Sequence, residues 1–136
     1  MDMATDEAAE RFVRVWTRAW AEHDVDALLK LYAEDCVHRS MPFREPHRGR
    51  AELAAYLRWS FAAERVGDVR FSAPVVGRHR VAVAEFRVLA EEDGEPSTLA
   101  GCVFVRFDTA GLAVETRDYW HTEPGHREPS GTLFLD

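Results

Sequence analysis

The feature that most restricts what this chain can fold into is a change in the repeat of its apolar residues near Gly67. Before that point they recur every three or four residues, and after it they alternate. Over residues 6–22, Phe12, Trp16, Ala19 and Trp20 fall at i, i+4, i+7 and i+8, with Val13 widening the stripe, which predicts an amphipathic helix. Thr5 is its expected N-cap. His23 and Asp24 interrupt the pattern, and Asp24 is expected to cap a shorter second helix buried through Leu28, Leu29, Leu31 and Tyr32. From Cys36 to Ser40 the period drops to two, predicting a short strand, and Pro42, Pro46 and Gly49 then mark an irregular loop. Residues 50–63 return to helical spacing through Leu53, Leu57 and Phe61, with Ala54 beside them.

Beyond Gly67 the segments 69–76, 81–90, 99–107 and 112–121 are rich in β-branched and aromatic residues. Gly77, Asp93-Gly94 and Ala110-Gly111 are expected at the turns, which makes the second half an antiparallel meander. From Thr122 onward Pro124, Gly125, Pro129 and Gly131 predict an irregular tail, which Leu133, Phe134 and Leu135 would dock on the domain. Helices followed by strands are the pattern of an α+β domain whose curved sheet covers its apolar face with the helices. The concave side then encloses a cavity. Trp16, Trp20, Tyr32, Tyr56, Trp59, Phe86 and Trp120 are too many large aromatics to decorate the surface of a domain this small, so some are expected to line it.

A length of 136 residues suits one domain, residues 1–136, with a core over about 6–121 and the tail at 122–136. Roughly two-thirds of the unfolded surface can be buried at this size, so the fold needs no metal or disulfide staple. The net charge of −7 repels phosphate backbones and anionic lipids, which argues against nucleic acid and membrane surfaces as partners. The apolar runs are much too short to cross a bilayer. Cys36 and Cys102 are far apart, and the first residues lack the basic flank and apolar stretch of a secretory signal, so a reducing cytoplasm is the expected location. The six histidines form no H-x-H or H-x-x-x-H pair, the glycines no phosphate cradle and the serines no nucleophile elbow. Neither a metal nor a cofactor is expected.

Several strings, in this order and spacing, carry a resemblance. They are residues 23–29 (HDVDALL), residues 31–35 (LYAED), Arg48-Gly49-Arg50 at the start of the third helix, and residues 103–108 (VFVRFD) followed by Gly111 and by Arg117-Asp118-Tyr119-Trp120. Over about nine-tenths of its length the chain resembles the nuclear transport factor 2-like superfamily, among its SnoaL-like polyketide cyclase, ketosteroid isomerase and limonene epoxide hydrolase relatives. The resemblance implies a cone of three helices wrapped by a bent, mainly antiparallel sheet, with an apolar pocket at the wide end. It implies less about chemistry, because this fold hosts unrelated activities. Trp16, Ser40 and Val103 stand where ketosteroid isomerases keep their oxyanion tyrosine, base aspartate and second oxyanion acid, so that machinery is replaced. Phe86 and Val88 stand where epoxide hydrolases keep an arginine and its aspartate, and His38 and Ser40 replace the water-holding tyrosine and asparagine. Asp118 alone matches, at the last-strand aspartate that SnoaL-type cyclases use as acid–base residue.

Strand alternation puts Thr116, Asp118 and Trp120 on one face. If the indole lines the cavity, Asp118 is partly desolvated and its pKa rises toward the range of a general acid or base. A salt bridge to Arg14 or Arg39 is the alternative. The same parity groups Cys36, His38 and Ser40, and places His38 to exchange a proton with Asp118 or hold a water, unless it is a hydrogen-bonded core histidine. Cys36 as a nucleophile activated by His38 is disfavoured, because side chains two apart on a strand run parallel. The charged loop Arg44-Glu45-Pro46-His47-Arg48 is solvated rim or a lid. Asp118 and His38 are thus the catalytic candidates, with Trp16, Trp20, Tyr32, Ser40, Phe86, Val88, Val103, Thr116 and Trp120 shaping the pocket for a mainly apolar small metabolite. Cyclisation, isomerisation and hydration all fit such a site, and so does a non-catalytic ligand-binding or assembly module. Val83, Glu85, Arg87 and Phe104, alternating on the outer face, suggest a homodimer.

Overall fold

The computed structural model describes residues 2–127 and 132–136. Helix α1 (Thr5–Glu22) is followed by α2 (Val25–Leu29), strand β1 (Tyr32–Arg39), the two-residue β2 (His47–Arg48) and α3 (Gly49–Ala62). Strands β3 (Glu64–Phe71), β4 (Val75–Val76), β5 (Val81–Glu92), β6 (Glu95–Phe107) and β7 (Ala113–Pro124) complete the chain. The strands form one open, curved sheet in the order β2-β1-β7-β6-β5-β3, with β4 pairing β5. The β3–β5, β5–β6 and β6–β7 pairs are antiparallel, whereas β1 runs parallel to β7. The α+β architecture is therefore as expected, on a mixed sheet.

Each layer is held by the stripes read from the sequence. Phe12 and Ala19 of α1, Leu28 of α2, and Leu53, Leu57 and Phe61 of α3 pack on the inward residues Ala82, Ala84, Phe86, Val103, Val105 and Phe107 of the sheet. A second cluster joins Val69, Val88 and Ala90. Asp24 caps α2 by accepting the Ala27 N–H at 3.1 Å. Arg50 of α3 donates to the Tyr32 carbonyl, with Nε at 2.9 Å, and so pins the start of β1 to the helix layer. Among the described residues no helix is long and apolar enough to cross a membrane.

Several boundaries differ from expectation, each for a local reason. The N-cap of α1 is Ala4, with no side-chain cap; Thr5 is already helical, and the entering chain is held instead by Met3 N–H on the Thr109 carbonyl at 2.9 Å. Leu31 and Tyr32 are buried but not helical, because the Leu31 carbonyl accepts the Ala113 N–H at 2.8 Å and the chain passes directly into pairing with β7. Gly67 is not a boundary: β3 starts at Glu64, and the register shift between Val66 and Asp68 makes Gly67 a bulge inside the strand. The turn expected at Gly77 lies at His79 and Arg80, both with positive φ. Asp93 and Gly94, with φ of 51° and 83°, make the two-residue hairpin foreseen between β5 and β6. Strand β7 continues to Pro124 because β6 starts early enough, at Glu95, to pair it. The tail docks on the sheet through the Leu135 carbonyl, which accepts from Ala73 N–H at 2.8 Å, and through Phe134 N–H, which donates to Glu85 Oε1. Pro129 and Gly131 lie outside the described residues.

Candidate functional site

Helices and concave sheet enclose a cavity of about 400 Å³. Successive turns of α1 supply Phe12, Trp16 and Trp20, because residues four apart share a helix face. Trp16 and Trp20 meet edge to face with centroids 5.5 Å apart, and Trp20 meets Phe86 of β5 at the same distance. The sheet adds Phe71, Leu99, Val103 and Trp120, and α3 adds Tyr56, Leu57 and Phe61. Such a wall selects apolar ligands by shape.

Polar groups enter this wall at one end through the pairing of β1 with β7. The parallel register sets His38 beside Thr116, two residues before Asp118. His38 Nδ1 lies 2.7 Å from Thr116 Oγ1, and Nε2 lies 3.6 Å from Asp118 Oδ2. The Thr116 hydroxyl bonds in turn to that of Tyr32, which accepts the Trp16 indole N–H at 3.2 Å. A threonine hydroxyl both donates and accepts. The imidazole can therefore face an ionised Asp118 with an N–H, or a protonated one with a lone pair. The 3.6 Å gap exceeds a hydrogen bond, and both groups line the cavity, so a ligand oxygen beside them lies within reach of both.

Burial sets the charges. The Asp118 side chain is 22% exposed, and since it lines the cavity that surface faces the hollow. Desolvation pushes its carboxyl up to about 8, while burial, with a smaller contribution from His47, lowers His38 to about 3. At neutral pH an acid that keeps its proton faces an uncharged base. Neither Arg14 nor Arg39 is an ion-pair partner of Asp118 among the described residues; the group that faces it is the neutral His38. Burial also raises the Cys36 thiol, which suppresses the thiolate a nucleophile would need.

Of the residues singled out from the sequence, Asp118, His38, Trp16, Trp20, Tyr32, Phe86, Val103 and Trp120 line the cavity. Three do not. Val88 packs in the second core cluster with Val69 and Ala90, against Trp20, Phe71 and Leu99, which themselves line the hollow. Thr116 is buried behind His38 as its hydrogen-bond partner. Ser40 is fully buried and receives the Trp120 indole N–H on its carbonyl at 2.7 Å, fixing that ring from behind. Trp59, grouped with the inner aromatics, lies on the cavity wall yet is 71% exposed. Arg44 of the proline-bearing loop reaches the wall and sits over the Trp120 ring, 5.5 Å from its centroid.

Tyr56, counted among the aromatics expected at the cavity, is on its wall, whereas Glu64 escaped the sequence reading. Tyr56 stacks on His47 with centroids 4.4 Å apart and meets the His38 ring at a tilt, 5.4 Å away, closing the hollow beside the acid. Glu64, at the start of β3, is buried at a different part of the wall, where both its oxygens accept the Trp20 indole N–H at 3.2 and 3.3 Å. Burial raises it to about 7, the indole partly offsetting the rise and Glu92 adding to it.

Comparison with known proteins adds the following. The family profile described as a SnoaL-like domain matches residues 12–116. A candidate isomerase from Bacillus subtilis has a similar structure, with a TM-score of 0.74 and 22% identity over 88% of this chain and 90% of that one. RV0760c from Mycobacterium tuberculosis gives a TM-score of 0.76 and 21% identity over 90% of this chain and all of its own. A computationally designed 17-OHP binder gives 0.72 and 23% over 87% and 98%. At these identities the structural likeness is one of fold.

Proposed function

Because this chain belongs to the SnoaL-like domain family, we propose that it is a small-molecule enzyme in which Asp118 performs general acid–base chemistry on a mainly apolar metabolite. The observation that carries this reading is a carboxyl group raised to about 8 inside an aromatic cavity, facing a neutral imidazole. Near neutrality Asp118 is a proton donor to an oxygen of the bound ligand. The carboxylate that forms faces the neutral His38 at 3.6 Å and regains its proton from the substrate or from water, which completes the cycle. Cyclisation, isomerisation and hydration of a ring-bearing substrate all require such a transfer at one polar handle. The two free thiols, Cys36 and Cys102, suit a reducing cytoplasm.

Native mass spectrometry of the purified protein identifies the bound metabolite, and turnover of that compound is then compared in wild type and Asp118→Asn. A fall in kcat/KM of about 100-fold or more, with binding nearly unchanged, is expected. Undiminished turnover in the variant removes the proposal. The second reading, a ligand-binding module without chemistry, draws on Phe86 and Val88 occupying the places of the hydrolases' arginine and aspartate, and on the designed binder of the same fold. It predicts tight binding of the recovered compound with no conversion.

A homodimer through the outer sheet face is part of the same proposal. The tail takes the Glu85 end of that face, which leaves Phe104 and Tyr119, 42% and 40% exposed and in edge contact at 5.7 Å, for a second copy. Sedimentation of wild type and Phe104→Glu tests it: the dimer is expected to dissociate in the variant, and a wild type that is monomeric at high concentration refutes it.

A further inference from the structure

The cavity carries a second buried acid that the proton chemistry does not use. The Glu64 side chain is 8% exposed and lines the same hollow as Asp118. Its two oxygens share the single proton of the Trp20 indole, although a carboxylate offers about four acceptor sites. His23 Nε2 lies 3.3 Å from Oε2, stacked on Phe61 with centroids 4.4 Å apart, yet it is buried with no hydrogen-bond partner. Acceptor capacity on Glu64 is thus left over at this point of the wall. A glutamate kept only to hold Trp20 has no need of a charge, and a glutamine fills that role without the desolvation cost of an ionisable group.

The two acids cannot serve one ligand atom. Trp16, one helical turn before Trp20, points its N–H to Tyr32 in the Asp118 network, whereas Trp20 points its own to Glu64. On the sheet, Asp118 faces Val103 and through it Ala84, while Glu64 faces Glu92, eight residues further along β5. We propose that Glu64, oriented by Trp20, forms a second polar subsite, which takes a hydroxyl or amine at the far end of an elongated apolar ligand whose other end meets Asp118. The ligand is therefore two-ended, with a rigid apolar body against Trp16, Trp20 and Phe86. The assignment of the near end rests on the function proposed above; that of the far end rests on the Glu64 cluster alone.

The test uses three probes of one shape, biphenyl, 4-phenylphenol and 4,4′-biphenol, titrated into the full chain and followed by quenching of tryptophan fluorescence. With two polar subsites each added hydroxyl tightens binding by about tenfold, the scale of one hydrogen bond. Glu64→Leu is expected to remove one of the two steps and Asp118→Leu the other. Glu64→Gln, which keeps the acceptor for Trp20 and is the safer variant for folding, is expected to shrink its step to about threefold or less, because a neutral acceptor is weaker. Two wild-type steps that both survive in the Glu64 variants, or a wild type with a single step that those variants leave intact, overturns the subsite. A wild type with a single step, lost in Glu64→Leu and kept in Asp118→Leu, upholds the subsite and sinks the Asp118 reading. Replacing one hydroxyl by an aminomethyl group separates the two donor chemistries: tighter binding that Glu64→Gln abolishes assigns an amine, and weaker binding assigns a hydroxyl.

Discussion

Asp118 and His38 are driven apart in acidity by one cause, burial, which favours the neutral form of each and so raises the acid and lowers the base. Thr116 is the hinge of this arrangement, since its hydroxyl sets which ring nitrogen of His38 carries the proton. Thr116→Val keeps the shape and removes the partner, leaving Nδ1 unsatisfied in a fully buried position. The expected cost is about 1–3 kcal/mol in urea unfolding, together with a change in the His38 tautomer seen in its ring ¹⁵N shifts; an unchanged midpoint and unchanged shifts would show that the bond is not made. At this scale strand parity was informative. It put Asp118 with Trp120 and His38 with Ser40 on inward faces, and both acid and histidine are on the cavity wall. Val88 is placed by the resemblance, and in the structure it packs against Trp20, Phe71 and Leu99, the larger side chains that line the hollow in its stead. Parity passed over Glu64 because a single acid between a helix and a bulged strand carries no periodic signal.

Among the elements, β6 and β7 hold the wall together, and their approach is set by Gly101. A Cβ there would stand 2.2 Å from the Tyr119 carbonyl oxygen and 2.7 Å from the Trp120 Cα, backbone atoms that cannot move without opening the ladder. Gly101→Ala is expected to cost about 3 kcal/mol or more, as overpacking against a fixed neighbour does. Gly94→Ala at the β5–β6 hairpin meets open space and bears only the strain of its φ of +83°, about 1–2 kcal/mol. Denaturant midpoints of the two variants check the order, and a Gly101→Ala protein as stable as Gly94→Ala contradicts the pairing described. The helices and most strands were legible because amphipathic stripes and alternation are local. The parallel pairing of β1 with β7 was not, since nothing in either segment announces a partner nearly 80 residues away, yet that pairing is what brings His38 to Asp118.

For the molecule as a whole, the groups that make the cavity reactive also tie its stability to pH. Asp118 and Glu64 hold their protons more tightly when folded, at about 8 and about 7 against ordinary values of 3.8 and 4.5. The stability each contributes is complete below the ordinary value and is lost as pH rises through the folded one. His38, lowered to about 3 from 6.5, works in the opposite sense: its contribution is complete above 6.5 and is lost as pH falls toward 3. Between about pH 4.5 and 6.5 the histidine cancels one of the two acids, so stability declines by roughly one proton's worth, about 1.4 kcal/mol per pH unit. From 6.5 to about 7 both acids act unopposed and the decline steepens, and from 7 to about 8 Asp118 alone sustains it. The protein should therefore be most stable under mildly acidic conditions and lose several kcal/mol by pH 8.5. Asp118→Asn, which has no proton to lose, should be the more stable protein at pH 8.5, by on the order of 3–5 kcal/mol relative to the difference at pH 4. Urea unfolding of both proteins at pH 4, 6 and 8.5 reads this directly. Parallel curves for the two would mean that Asp118 titrates as an ordinary hydrated carboxylate, and a carboxylate of that kind cannot be the proton donor of this cavity.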